Sequence, residues 1–67
     1  MESDYIYFLR KPELFWGRKR YVFTAFETPG RARGAAKSSI TQSGKPSEPL
    51  VVYRVPKYAF EEIGKYE

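Results

Sequence analysis

Residues 28–37, Thr28-Pro29-Gly30-Arg31-Ala32-Arg33-Gly34-Ala35-Ala36-Lys37, form a small-residue, basic stretch between two runs dense in aromatic and β-branched residues. Thr28 can cap free amides and Pro29 at the first helical position sacrifices no hydrogen bond, so a helix starts here. Ala32, Ala35, Ala36 and Ile40 then share one face at 3.6-residue spacing, and such short side chains let a helix sit close to a sheet. Gly30 and Gly34 each weaken a helix by about 1 kcal/mol relative to Ala, which predicts a packing reason for them. The helix frays over Ser38 to Thr41.

Upstream, Tyr5-Ile6-Tyr7-Phe8-Leu9 is apolar on both alternations and reads as a central strand covered on both faces. Lys11 to Lys19 is predicted to be a connection, with Pro12 ending the ladder and Gly17 turning the chain after Trp16. Arg20 to Glu27 is the second strand, with Tyr21, Phe23 and Ala25 on one face and Val22, Thr24 and Phe26 on the other. Downstream, residues 42–49 (Gln42 to Pro49) read as a flexible polar linker, and Leu50 to Val55 as the third strand. After Pro56, the residues Ala59, Phe60, Ile63 and Tyr66 would form an apolar stripe on a short C-terminal helix.

Connection rules turn these elements into a topology. A helix returning antiparallel to the second strand delivers the third parallel to it, and the first strand fits between them antiparallel to both. The expected fold is therefore α+β, a single domain over residues 1–67. Its three-stranded, mainly antiparallel sheet has order 2-1-3 and connectivity β-β-α-β, with one main helix on one face. Pairing the third strand directly beside the second is the alternative.

Sixty-seven residues bury only about 60% of the surface of the unfolded chain, so six Tyr, five Phe and one Trp must carry the core. The absence of Cys and His excludes a disulfide framework, thiol chemistry and the usual zinc sites. No apolar run reaches the length of about 18 residues that spans a bilayer. Met1-Glu2-Ser3-Asp4 is acidic where a secretory signal is basic. Together these lead to the expectation of a soluble cytoplasmic protein with no cofactor, no metal and no membrane partner.

The net charge is +4, and residues 10–37 concentrate it, with eight basic residues and only Glu13 and Glu27 against them. Such a patch suits an acidic protein surface, nucleic acid or a phosphorylated ligand, or it serves solubility alone. Arg10, Lys11, Arg18, Lys19 and Arg20 gather at the connection between the first two strands, and Lys37, near the helix end, is expected to approach them. Arg31 and Arg33 lie apart from these, at the start of a helix about 18 Å long, where free amides and the macrodipole make a modest anion site. Trp16, flanked by Arg18 to Arg20, is a candidate binding hot spot, because Trp and Arg dominate such spots. The sheet face that the helix leaves open awaits the C-terminal segment, a self-association or partner contact, or stacked bases.

Catalytic motifs fail. Gly30 to Ser38 has the wrong glycine spacing for a phosphate-binding loop, and Gly44-Lys45 runs into Pro46 rather than Ser or Thr. Glu61 and Glu62 are adjacent and diverge on a helix. With no Asn and only Gln42, bidentate recognition of adenine is nearly excluded, so any DNA binding would be nonspecific and steeply salt-dependent.

The segment Phe26 to Ala35, preceded by an aromatic strand and followed by Leu50-Val51-Val52-Tyr53-Arg54-Val55, resembles small uncharacterised bacteriophage proteins. In these a strand runs into a short G-x-A-x-G-A helix and then a Val/Tyr-rich strand, and the resemblance covers residues 20–55. It implies a phage accessory protein, a group that often binds and redirects host machinery, working in the host cytoplasm. Phe26-x-Thr28 and Ala32-x-x-Ala35 are also similar to the plant-type AP2 DNA-binding domain, but three strands precede the helix there, whereas here one follows it. The expected function is non-enzymatic binding of a host protein through the basic hairpin end, with nonspecific nucleic-acid binding or a structural, oligomer-forming role as alternatives.

Overall fold

Trp16 and Gly17 both have positive φ, 55° and 75°, the backbone of a two-residue hairpin turn that matches the twist of its strands. It joins β1 (Tyr5–Phe15) to β2 (Arg18–Phe26) in an unbroken antiparallel register from Phe15↔Arg18 to Tyr7↔Phe26. The computed structural model describes residues 4–66; Met1, Glu2 and Ser3 of the acidic N-terminal reading lie outside the described residues.

The hairpin corrects the expected connection from Lys11 to Lys19, because β1 runs straight through Pro12. The third strand, β3 (Val51–Pro56), pairs with β1 only from Tyr5↔Pro56 to Arg10↔Val51. Beyond Arg10, β1 has a neighbour on one side alone. The pair flanking a two-residue turn exchanges hydrogen bonds, so alternation makes Pro12↔Tyr21 a non-hydrogen-bonded pair. The N–H that Pro12 lacks would have pointed to the side β3 leaves uncovered, and no ladder bond is lost.

The helix α1 (Pro29–Ser43) begins as expected, with Thr28 in an extended conformation and its hydroxyl accepting from the Arg31 N–H at 3.2 Å. It does not fray at Ser38. It continues to Ser43 and stops where Gly44, φ 81°, donates its N–H to the Ile40 carbonyl at 2.8 Å. The linker accordingly shrinks to residues 44–50. No packing reason exists for Gly30 and Gly34, since a Cβ at either would meet nothing within 4 Å.

The sheet order is β2-β1-β3 with both pairings antiparallel, the split β-α-β arrangement expected of an α+β fold. The helix packs chiefly on β1, on the face that carries Leu9. Leu9 at 1% exposure and Ala32 at 0% are the fully shielded centre of the fold. Register places Val22 and Thr24 of β2 and Val52 of β3 on the same face as Leu9.

The C-terminal stripe forms no helix. A single 3-10 turn, η1 (Lys57–Ala59), follows β3, with the Lys57 N–H donating to the Asp4 carbonyl at 2.8 Å, and Phe60 is already extended. A short helix must repay a costly first turn; this one would have no side-chain cap at Pro56 and a glycine, Gly64, inside it. Tyr58, Ile63 and Tyr66 are left exposed. The Phe60 ring returns to the sheet, edge-on to Phe8 at 6.2 Å.

Candidate functional site

The strand alternation that sends Leu9 toward the helix sends Phe8, Arg10, Tyr21, Phe23 and Tyr53 to the opposite face. Arg10 lies at its centre. Its guanidinium stacks on the Tyr21 ring at 4.7 Å, stands 5.7 Å from the Tyr53 ring, and donates from Nη1 to the Tyr53 hydroxyl at 2.8 Å. Its Nε is shielded from solvent and without a hydrogen-bond partner. Phe23 packs at a tilt against Tyr53, 6.3 Å between ring centres, and remains 56% exposed. Tyr21 and Tyr53 are also open to solvent. The helix leaves this face bare; among the described residues, Phe60 touches it at Phe8 and the linker reaches it at Tyr21 and Lys19.

Glu48 of the linker reaches the border of the same face. It pairs with Lys19 and lies 3.1 and 3.2 Å from the Tyr21 hydroxyl through its two carboxylate oxygens. Hydrogen bonding to Lys19 holds the Glu48 carboxyl below the usual carboxylate range, and the same contact raises the Lys19 ammonium above its ordinary value. Lys19 also stands 5.4 Å from the Tyr21 ring.

The other hairpin cations project from the helix-side face. Arg20 binds Glu13 Oε1 through Nη2 at 2.6 Å and Nε at 3.1 Å, and its guanidinium lies 4.1 Å over the Phe15 ring. Phe15 meets Trp16 edge to face at 6.0 Å. Lys11 and Arg18 share this face by register, and Arg18 is exposed. Leu14 and Trp16, the latter 88% exposed, complete an apolar tip.

The single basic patch expected at the strand connection is therefore split between two faces. Arg10 is engaged by tyrosines, Lys19 by Glu48, and Arg20 by Glu13. Lys37 stands on the helix, in a cleft that Glu48, the partner of Lys19, also lines. That cleft, of about 440 Å³, lies between the helix and the linker with Lys45, Ile40 and Leu50 in its walls, and no hairpin cation lines it. Arg31 and Arg33 are exposed at the helix start, but the Arg31 N–H is already taken by Thr28, which removes one donor from the expected anion site.

Tyr21, Phe23, Tyr53 and Glu48 were not among the site residues the sequence suggested. Period-two alternation did place Tyr21 and Phe23 on one face; the sequence left open whether the C-terminal segment would cover it. Among the described residues no group of three or more His, Cys, Asp or Glu could hold a metal ion, and no helix is long and apolar enough to cross a membrane. Comparison with protein-family models, curated proteins and solved structures finds no match to this chain.

Proposed function

We propose that this chain is a non-enzymatic binding module, a phage-type accessory protein that grips a host protein through the open aromatic face and the adjoining hairpin tip. The observation that carries this reading is Arg10 held between Tyr21 and Tyr53, beside exposed Phe23, on a sheet face that the helix leaves bare. Tyr, Trp and Arg are the residues that dominate protein interfaces, above all when held rigidly by their neighbours. The pairing of Lys19 and Arg20 with carboxylates argues in the same direction. Cations already neutralised within the chain release few counterions from a phosphate backbone.

Nonspecific nucleic-acid binding is the second reading, favoured by the interleaving of rings with Arg10 and Lys19 on a sheet, the arrangement on which unpaired bases stack. Two measurements separate them. A photoreactive aromatic residue placed at Phe23 should crosslink a discrete host protein, whereas the same group at Arg33 should not, and unlabelled wild-type chain should compete the adduct away. Titration with generic RNA and DNA should give feeble binding. Tight binding whose affinity falls with salt by several log-log units would instead establish the nucleic-acid reading.

A further inference from the structure

We propose that two copies of this chain join edge to edge through β2, antiparallel about a two-fold axis at Val22, to make one six-stranded sheet. This goes beyond the binding reading above and does not rest on it.

The outer edge of β2 is open. Because Phe15↔Arg18 flanks the two-residue turn, Arg18, Arg20, Val22, Thr24 and Phe26 spend their backbone groups on β1. Lys19, Tyr21, Phe23 and Ala25 direct theirs outward, and among the described residues those groups meet no other backbone. An edge of this kind invites another strand unless it is short, bulged, broken by proline or guarded by charge, and the charges of β2, Arg18, Lys19 and Arg20, are confined to one end. β2 is nine residues long, without proline and without a bulge. The opposite edge, β3, has six residues and ends on Pro56.

Self-pairing about Val22 satisfies hydrogen bonding and charge together. Tyr21 falls opposite Phe23 of the second copy and Lys19 opposite Ala25 of the second copy, so every outward residue meets an outward residue. This centring alone keeps all nine residues of β2 paired. Arg18 meets Phe26, Lys19 meets Ala25 and Arg20 meets Thr24, so no cation faces a cation, and Glu27 of the second copy follows just beyond Arg18. A parallel, in-register pairing would set Arg18, Lys19 and Arg20 against themselves, which is destabilising. The Tyr21 and Phe23 rings form two aromatic cross-strand pairs, a favourable combination in sheets.

The helices permit this arrangement. Each packs chiefly on β1, and the two β1 strands would lie three strand spacings apart, about 14 Å. Packed helices need only about 8–10 Å between axes. Both helices fall on one side, and the two open aromatic faces merge on the other.

The test is the mass of the intact chain in solution across a wide concentration range, by light scattering or sedimentation. A two-chain species should accumulate as concentration rises. Ala25→Lys, which sets a lysine against Lys19 of the other copy twice per dimer, should weaken association on the order of fivefold, and Ala25→Glu should strengthen it by a similar factor. The chain has no cysteine, so Val22→Cys provides a register test. Two-fold pairing brings residue 22 within about 4.5 Å of its copy, Cα to Cα, inside the disulfide range. Val22→Cys should therefore oxidise to a covalent dimer, and Thr24→Cys, which faces Arg20, should not. A monomer at every concentration overturns the proposal. So does crosslinking at Thr24→Cys in place of Val22→Cys, or a dimer lost on Tyr53→Ser while Ala25→Lys leaves it intact, which would move the contact to the sheet face.

Discussion

Trp16 adopts a left-handed backbone that Gly, Asn and Asp tolerate and that costs a bulky L-residue about 1–2 kcal/mol. Trp16→Asn should therefore stabilise the hairpin by up to about 1 kcal/mol in chemical denaturation, while weakening capture of a partner that uses the indole. A second residue-level expectation concerns Glu48 and Lys19. Glu48 has its folded pKa lowered, so its contribution is present above the ordinary carboxylate value and is lost as pH falls through the depressed one. Lys19 has its folded pKa raised, so its contribution is present below the ordinary lysine value and is lost as pH rises through the elevated one. Lys19 is exposed and Glu48 only half-buried, so the effect is small. Glu48→Gln should flatten both limbs in urea midpoints measured against pH, and an unchanged acid limb would show that the ion pair contributes nothing to stability.

At the scale of elements, α1 contains an avoidable weakness. Gly34 is a helix-interior glycine, and a Cβ there meets only open space, so Gly34→Ala should raise stability by about 1 kcal/mol. The start of this helix was legible in Thr28-Pro29 because capping is local chemistry. The strand order was legible too, because a crossover has one favoured hand and an apolar strand seeks the middle. Pro12 was not. Reading proline as a strand breaker assumes a neighbour on each side, and only the length of β3 reveals that one side is empty. The extent of the basic site was equally hidden: Glu48 is remote in sequence from Lys19 and Tyr21, and a cation looks available until the fold delivers its carboxylate.

At the scale of the molecule, the core is thin. Leu9 and Ala32 are the only buried residues among those described. The radius of gyration of 14.1 Å exceeds the value of about 11 Å typical of a compact chain of this length. Such a domain has about 3–10 kcal/mol of total stability, and truncating a shielded leucine costs about 2–5 kcal/mol. Leu9→Ala should therefore leave much of the population unfolded at physiological temperature, seen as loss of near-ultraviolet circular dichroism, whereas removing the exposed Ile63 side chain should change little. If the edge-paired dimer forms, unfolding temperature should also rise with protein concentration, because association favours only the folded chain.

The hairpin turn has one more consequence, an optical one. Trp16 is the chain's single tryptophan and projects into water at the outermost point of the ribbon. Intrinsic emission excited at the red edge of the absorption band is therefore a label that the chain carries by itself, confined to one end of the molecule. It should be long-wavelength and readily quenched by iodide in the free protein. A blue shift with loss of quenching on mixing would locate a contact at the tip, while an unchanged spectrum during association would locate it elsewhere.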